Sequence, residues 1–187
     1  MPITIIVEDG TGLETANSYV SLADANEFFD GHPQSAGWTG LASDDLRNRY
    51  LVTAARVIDS CFEFNGYKVN QSQALQWPRQ GAEDRNSGNT AQRSSRTTLQ
   101  DGYFPADVVP QGVKDAQCEM ARFLIASNRM DDAPGTGIRE FELTGSIRVA
   151  FEKGQLQNIV PDFVVNMLRN FGSFVSNKSG TVKLTRA

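Results

Sequence analysis

One histidine, two cysteines and a few paired carboxylates are the groups through which this chain could do acid–base, nucleophilic or metal chemistry. His32 stands in Gly31-His32-Pro33 with no Ser, Cys or carboxylate constellation accompanying it, so it reads as neither a general base nor part of a triad. With Cys61 and Cys118 it falls short of a zinc set, and both cysteines fall on apolar helical stripes, which makes them buried free thiols. Asp44 and Asp45 sit in the first turn of a long predicted helix, where they complement its dipole. Glu83-Asp84 and Asp131-Asp132 lie in loops without the regular oxygen spacing of a calcium loop. Gly10-Thr11-Gly12 and Pro134-Gly135-Thr136-Gly137 lack the downstream signature of a phosphate loop and read as turns. The pattern implies no reaction, no cofactor and no metal.

Nucleic acid is the next chemistry to weigh. The chain has 18 Lys and Arg against 22 Asp and Glu, a net charge of −4. That balance speaks against a dedicated binder, because affinity for DNA comes largely from cations displacing counterions. The best local case is Arg85, Arg93 and Arg96, in a stretch free of acidic residues but also free of aromatics to stack on bases. Its Ser, Asn, Gly and Thr content predicts a mobile loop over 82–103. Trp77 could stack on a base, but in the apolar elbow Leu75-Gln76-Trp77-Pro78 it is expected to pack on the helices, with Arg79 bridging loops or a neighbouring subunit. A C-terminal arm over 173–187 alternates at Thr181-Val182-Lys183-Leu184-Thr185 and could add to a sheet edge. Phe174, Val182, Lys183, Leu184 and Arg186 are therefore the candidate interface residues.

The elements that must position these groups are mostly helical. Ile3 to Val7 reads as an extended arm, followed by a turn at Asp9-Gly10-Thr11-Gly12. Ser21 and Asp24 form a capping box for a helix that Gly31 and Pro33 end. Ser43 caps a long helix with the clearest apolar stripe, Leu46, Tyr50, Leu51, Ala54, Val57, Ile58, Cys61 and Phe62. Pro78 holds Trp77 outside the helical region, and Gly81 permits a turn. Pro110 opens a third helix; a hairpin around Thr144-Gly145 follows, and Pro161 opens a last helix that Gly172 ends. The expected fold is mainly α: about four helices, a small β-hairpin and extended terminal segments, in a single domain over 1–187. The start lacks a basic leader and no apolar run reaches membrane-spanning length, which predicts a soluble intracellular product without membrane contact.

Several of these stretches together resemble one phage family. Asn17-Ser18-Tyr19-Val20-Ser21-Leu22-Ala23-Asp24-Ala25, Ala54-Ala55-Arg56-Val57-Ile58-Asp59 and Leu75-Gln76-Trp77-Pro78-Arg79-Gln80-Gly81 carry the likeness. Phe104-Pro105, Val113-Lys114-Asp115-Ala116, the strand pair over 143–151 and the helix over 161–168 extend it across most of the chain. The resemblance is to small tailed-phage proteins labelled DnaT-like single-stranded-DNA-binding proteins, whose kin are head-to-tail connectors. Residues 85–100 are longer than the family's usual connection there. What the likeness implies is a structural virion protein: a non-enzymatic adaptor that binds the portal protein as a homo-oligomeric ring, by analogy of twelve copies. Such a ring would sit in the virion neck after assembly in the host cytoplasm, meet a tail or tail-nozzle protein, and let genomic double-stranded DNA pass through its lumen. The alternative implied by the label is a replication accessory that binds single strands.

Overall fold

The computed structural model describes residues 3–84, 102–126 and 160–175, together with the backbone of two strands at 140–143 and 147–150. Helix α1 (Leu22–Asp30) begins as its capping box dictates: the Asp24 N–H donates to Ser21 Oγ at 3.1 Å and the Ser21 N–H to Asp24 Oδ2 at 3.2 Å. A four-residue helix, α2 (Ala36–Thr39), follows; it is too short to leave a periodic signal and was not expected. Ser43 caps α3 (Asp44–Cys61) by accepting the Leu46 N–H, and the apolar stripe of α3 buries Leu51, Ala54, Ala55, Val57 and Ile58. That face packs on α4 (Gln111–Ala126), which also meets α1, α2 and α5 (Asp162–Leu168). Helix α5 stops at Leu168, short of the expected Gly172.

Short strands close the bundle. β1 (Phe62–Phe64) continues directly from α3 and pairs antiparallel with β6 (Gly172–Phe174), setting Phe62 opposite Phe174. Gly172 thus belongs to a strand: any side chain there would collide with the Glu63 carbonyl, so close approach of two backbones requires glycine. β2 (Tyr67–Lys68) pairs with β3 (Arg79–Gln80). β4 (Glu140–Leu143) and β5 (Ile147–Ala150) form the expected antiparallel pair, while its turn at 144–146 lies outside the described residues. At the N-terminus, Ile3 donates its N–H to Asp45 Oδ1 at 2.7 Å and Val7 bridges to Ser18, so the extended arm lies along the start of α3.

Two polar groups hold this apolar interior in register. Gln117, fully buried on α4, accepts the Tyr19 N–H at 2.9 Å and donates to Ser18 Oγ at 2.8 Å and to the Leu51 carbonyl at 2.9 Å. One amide therefore ties the Ser18-Tyr19 segment, α3 and α4. Tyr19, also fully buried, donates its hydroxyl to Asp59 Oδ1 at 2.5 Å and accepts N–H groups from Gln76 and Trp77. Asp59 Oδ2 accepts the Gln76 N–H as well, at 3.0 Å. Burial pushes the Asp59 carboxyl up to about 6, against the opposing pull of the Tyr19 and Gln76 hydrogen bonds. Burial, with Asp59 beside it, pushes the Tyr19 hydroxyl well above its usual range.

Replacing Gln117 by Leu keeps the volume but strands the Tyr19 N–H in the core, so urea denaturation should show a loss of about 2–3 kcal/mol; a loss below about 0.5 kcal/mol would deny the amide its role. Asp59 binds its proton more tightly in the folded chain than in the unfolded one. Its contribution to stability is therefore complete below its ordinary value of 3.8 and is lost as pH rises through about 6. Melting temperature should rise between pH 7 and pH 5, and Asp59→Asn should flatten that rise. An unchanged pH slope in the variant would place the effect elsewhere.

Candidate functional site

The elbow after β2 organises the surface that most differs from a plain helical bundle. The Trp77–Pro78 peptide is cis, and the Trp77 ring is fully buried. Phe64, Phe104 and Phe171 surround it edge to face, with centroids at 6.1, 6.0 and 6.0 Å. The indole N–H is buried without a hydrogen-bond partner among the described residues. Trp77 is thus a core anchor, as its apolar context predicted, and presents no face to a base. Pro78 is buried beside it, its carbonyl accepting from Gln73 Nε2 at 3.1 Å.

Arg79 resolves its own ambiguity by pointing inward. Its Nε donates to the Asn65 carbonyl at 2.8 Å, Nη2 to the Gly66 carbonyl at 2.6 Å, and Nη1 to the Gln76 carbonyl and side chain at 3.1 and 3.0 Å. Four acceptors from two loops engage the guanidinium, so the bridge between loops is intramolecular. The Asn65-Gly66 turn is fixed in this way, with Gly66 at φ +76° closing tightly over the backbone of Gln80 and Ala82. Beyond β3 the chain continues through Ala82, whose carbonyl accepts the Phe104 N–H, and Asp84, whose N–H donates to Gly102. Both roots of the expected 82–103 loop are therefore paired.

The other groups considered for chemistry are engaged structurally. His32 Nδ1 accepts the Gln34 N–H at 3.1 Å, which assigns the ring proton to Nε2, 3.0 Å from Glu119 Oε1. Glu119 Oε2 in turn pairs with Arg122 at 2.7 Å, and Phe28 stacks on the imidazole. His32 is a latch between the end of α1 and α4. The Gly10-Thr11-Gly12 turn does gather converging N–H groups, but its anion is internal: the buried Glu8 carboxylate accepts from Gly10, Gly12 and Leu13 at 3.0, 2.8 and 2.9 Å. Cys61 and Cys118 are free; burial pushes the Cys118 thiol up to about 12, with Asp115, Glu119 and Asp24 adding to the shift. Among the described residues no cluster of three or more His, Cys, Asp or Glu is placed to hold a metal, and no helix is long and apolar enough to cross a membrane.

Charge is divided unevenly along the chain. Residues 3–84, 102–126 and 160–175 contain sixteen Asp and Glu against eight Lys and Arg. Several of those cations are engaged: Arg47 with Asp44, Arg49 with Asp45, Arg122 with Glu119, and Arg79 with carbonyls. A cleft of about 350 Å³ between α1 and α4 has Asp24, Glu27 and Asp115 against the lone Lys114, a surface that repels phosphate. The cations concentrate elsewhere in the sequence. Arg85, Arg93, Arg96, Lys178, Lys183 and Arg186 face a single carboxylate, Asp101, within 85–101 and 176–187. Those two segments lie outside the described residues, as do Val182 and Leu184. Of the interface candidates Phe174 alone is described: it sits in β6, half-buried, with its ring 5.6 Å from that of Phe62, so the arm expected from 173 starts inside the fold.

Three groups escaped the sequence reading: Gln117, Asp59 and Glu8. A buried polar hub has no local pattern, although the spacing of Glu8 before Gly10 and Gly12 offered one short-range cue. Comparison with known proteins returns a single kind of match. No curated protein and no solved structure matches the chain. A family model described as "Putative DnaT-like ssDNA binding protein" matches residues 3–187. That description agrees with the single-strand-binding alternative and does not speak of a connector. Since the match spans nearly the whole sequence, the chain belongs to the family of putative DnaT-like ssDNA binding proteins.

Proposed function

We propose that this chain binds single-stranded DNA without reading its sequence, through cationic chain carried on an acidic folded body. The observation that carries this reading is the division of charge: the two segments 85–101 and 176–187 hold six cations and one carboxylate, whereas the body is acidic. Cations in sequence rich in Ser, Asn, Gly and Thr can follow a phosphate backbone, and the acidic body discourages non-specific wrapping around the protein. The family description supports the same class of partner. No side-chain constellation among the described residues supports a reaction, so the role proposed is binding without catalysis.

A second reading, the head-to-tail adaptor, draws support from a different observation. The Phe64, Phe104 and Phe171 rings around Trp77 are consumed by the core, and the α1–α4 cleft is acidic, so much of the described body suits contact with proteins better than with polyanions. In that reading the body is one wedge of a ring of about twelve copies between portal and tail, in the virion neck, and double-stranded DNA passes through the ring without sequence-specific contact. Val182, Lys183, Leu184 and Arg186 would then engage the portal or a neighbouring copy by strand addition.

Fluorescence anisotropy of a labelled oligothymidine over a salt series tests the first reading. Binding should weaken steeply with salt, and Arg85→Gln, Arg93→Gln and Arg96→Gln combined should reduce the log–log slope by about 2. Absence of binding at low salt would refute it. Electron microscopy of phage particles made without this product separates the two readings: filled heads lacking tails favour the adaptor, and normal particles with impaired replication favour the single-strand binder.

A further inference from the structure

We infer that Tyr67 and Tyr103 form a base-stacking surface on the outer face of the β2–β3 patch, an inference that rests on the single-strand-binding reading and gives it a place on the fold. Tyr67 is 81% exposed and Tyr103 is 44% exposed, in a protein whose two tryptophans are both buried. Large rings left in water on a rigid strand are the platform that sequence-independent binding of unpaired bases uses.

Both tyrosines pair with one short stretch of chain. Tyr67 lies opposite Gln80 in the β2–β3 ladder, and Tyr103 lies opposite Glu83 in an isolated antiparallel bridge. Strict alternation would send positions 80 and 83 to opposite faces. The exposure pattern says otherwise: Arg79 and Ala82 are buried, whereas Gln80, Gly81 and Glu83 are exposed. Gly81, at φ +72°, interrupts the alternation between Gln80 and Glu83, and both of these residues are exposed. Directly opposed residues share a face, so Tyr67 lies on the exposed side with Gln80 and Tyr103 on the exposed side with Glu83.

The support beneath them is stiff. Arg79 locks the turn before Tyr67, and Phe104, next to Tyr103, packs against Trp77 and Phe171 from below. Gly66 and Gly102, each immediately before a tyrosine, have positive φ at +76° and +109°, so both rings follow tight turns. This surface would act through ring contact and leave phosphate attraction to Arg85, Arg93 and Arg96 in the adjoining sequence. A nucleic-acid strand is the occupant these features fit: two exposed rings stand beside the exposed polar side chains of Gln80 and Glu83.

Oligothymidine affinity is measured over the same salt series for the full chain and for Tyr67→Ala, Tyr103→Ala and the double Phe variant, with circular dichroism verifying each fold. Stacking is a salt-tolerant contribution, so each Ala variant should lower affinity roughly 10-fold at every salt concentration with the slope unchanged, and the Phe variant should match the parent. If the parent binds and the Ala variants fall on its line, or change the slope alone, the stacking surface is refuted while single-strand binding stands. If the parent does not bind at all, both the surface and the reading it rests on fail.

Discussion

The fold depends on one buried knot, in which the Tyr19 hydroxyl and the Asp59 carboxylate jointly receive the backbone of Gln76 and Trp77. Together with the Ala74 N–H donated to the Leu13 carbonyl, it fixes the path of the chain leaving β2 back to the helices. With it, Trp77 is delivered into the ring cage of Phe64, Phe104 and Phe171, which joins β1, the chain before α4 and the link between α5 and β6. Arg79 then reaches over the same corner to the Asn65 and Gly66 carbonyls. A carboxylate buried this deeply is held against its own preference for water, as its raised pKa records, so apolar packing around it must supply the surplus.

That arrangement separates the rings that build the protein from the rings it can offer a partner. Trp38 stacks on Phe29 at 4.5 Å and Trp77 sits in its cage, so the most capable stacking side chains are committed inside. Electrostatics divides in the same sense, with carboxylates on the body and cations in the segments 85–101 and 176–187. On the proposed reading, the carboxylates of the described residues would keep polyanions off most of the surface that those residues form. Binding would be confined to one strand patch and the cationic segments, a division of labour that also suits a subunit which must contact proteins and DNA at once.

What was legible in the sequence is what local chemistry determines. Ser21 with Asp24, Ser43, Pro110 and Pro161 each mark a helix start, because capping and fixed φ act within four residues. The burial of Trp77 was legible from its apolar neighbours. Pairing between distant segments was not: β1 and β6 are three residues each and more than a hundred apart, and neither alternates long enough to register. Gly172 was read as a helix stop when its function is close backbone contact. The tyrosines carried a signal that went unread, since Asn65-Gly66-Tyr67 and Asp101-Gly102-Tyr103 are both turn dipeptides followed by an exposed ring. Tyr103 lies a few residues beyond the arginine-bearing stretch, outside the window that lacks aromatics.

In the proposed mode of binding, unpaired DNA meets the cationic segments and the tyrosine patch while the helical body stays clear. Photocrosslinking of a bromodeoxyuridine oligonucleotide to the full chain, with the modified peptides mapped by mass spectrometry, tests it most directly. Adducts are expected within 85–101 and 176–187 and at Tyr67 or Tyr103, competed by unlabelled single strands and not by duplex. Adducts confined to the α1–α4 cleft, or none at low salt, would contradict it.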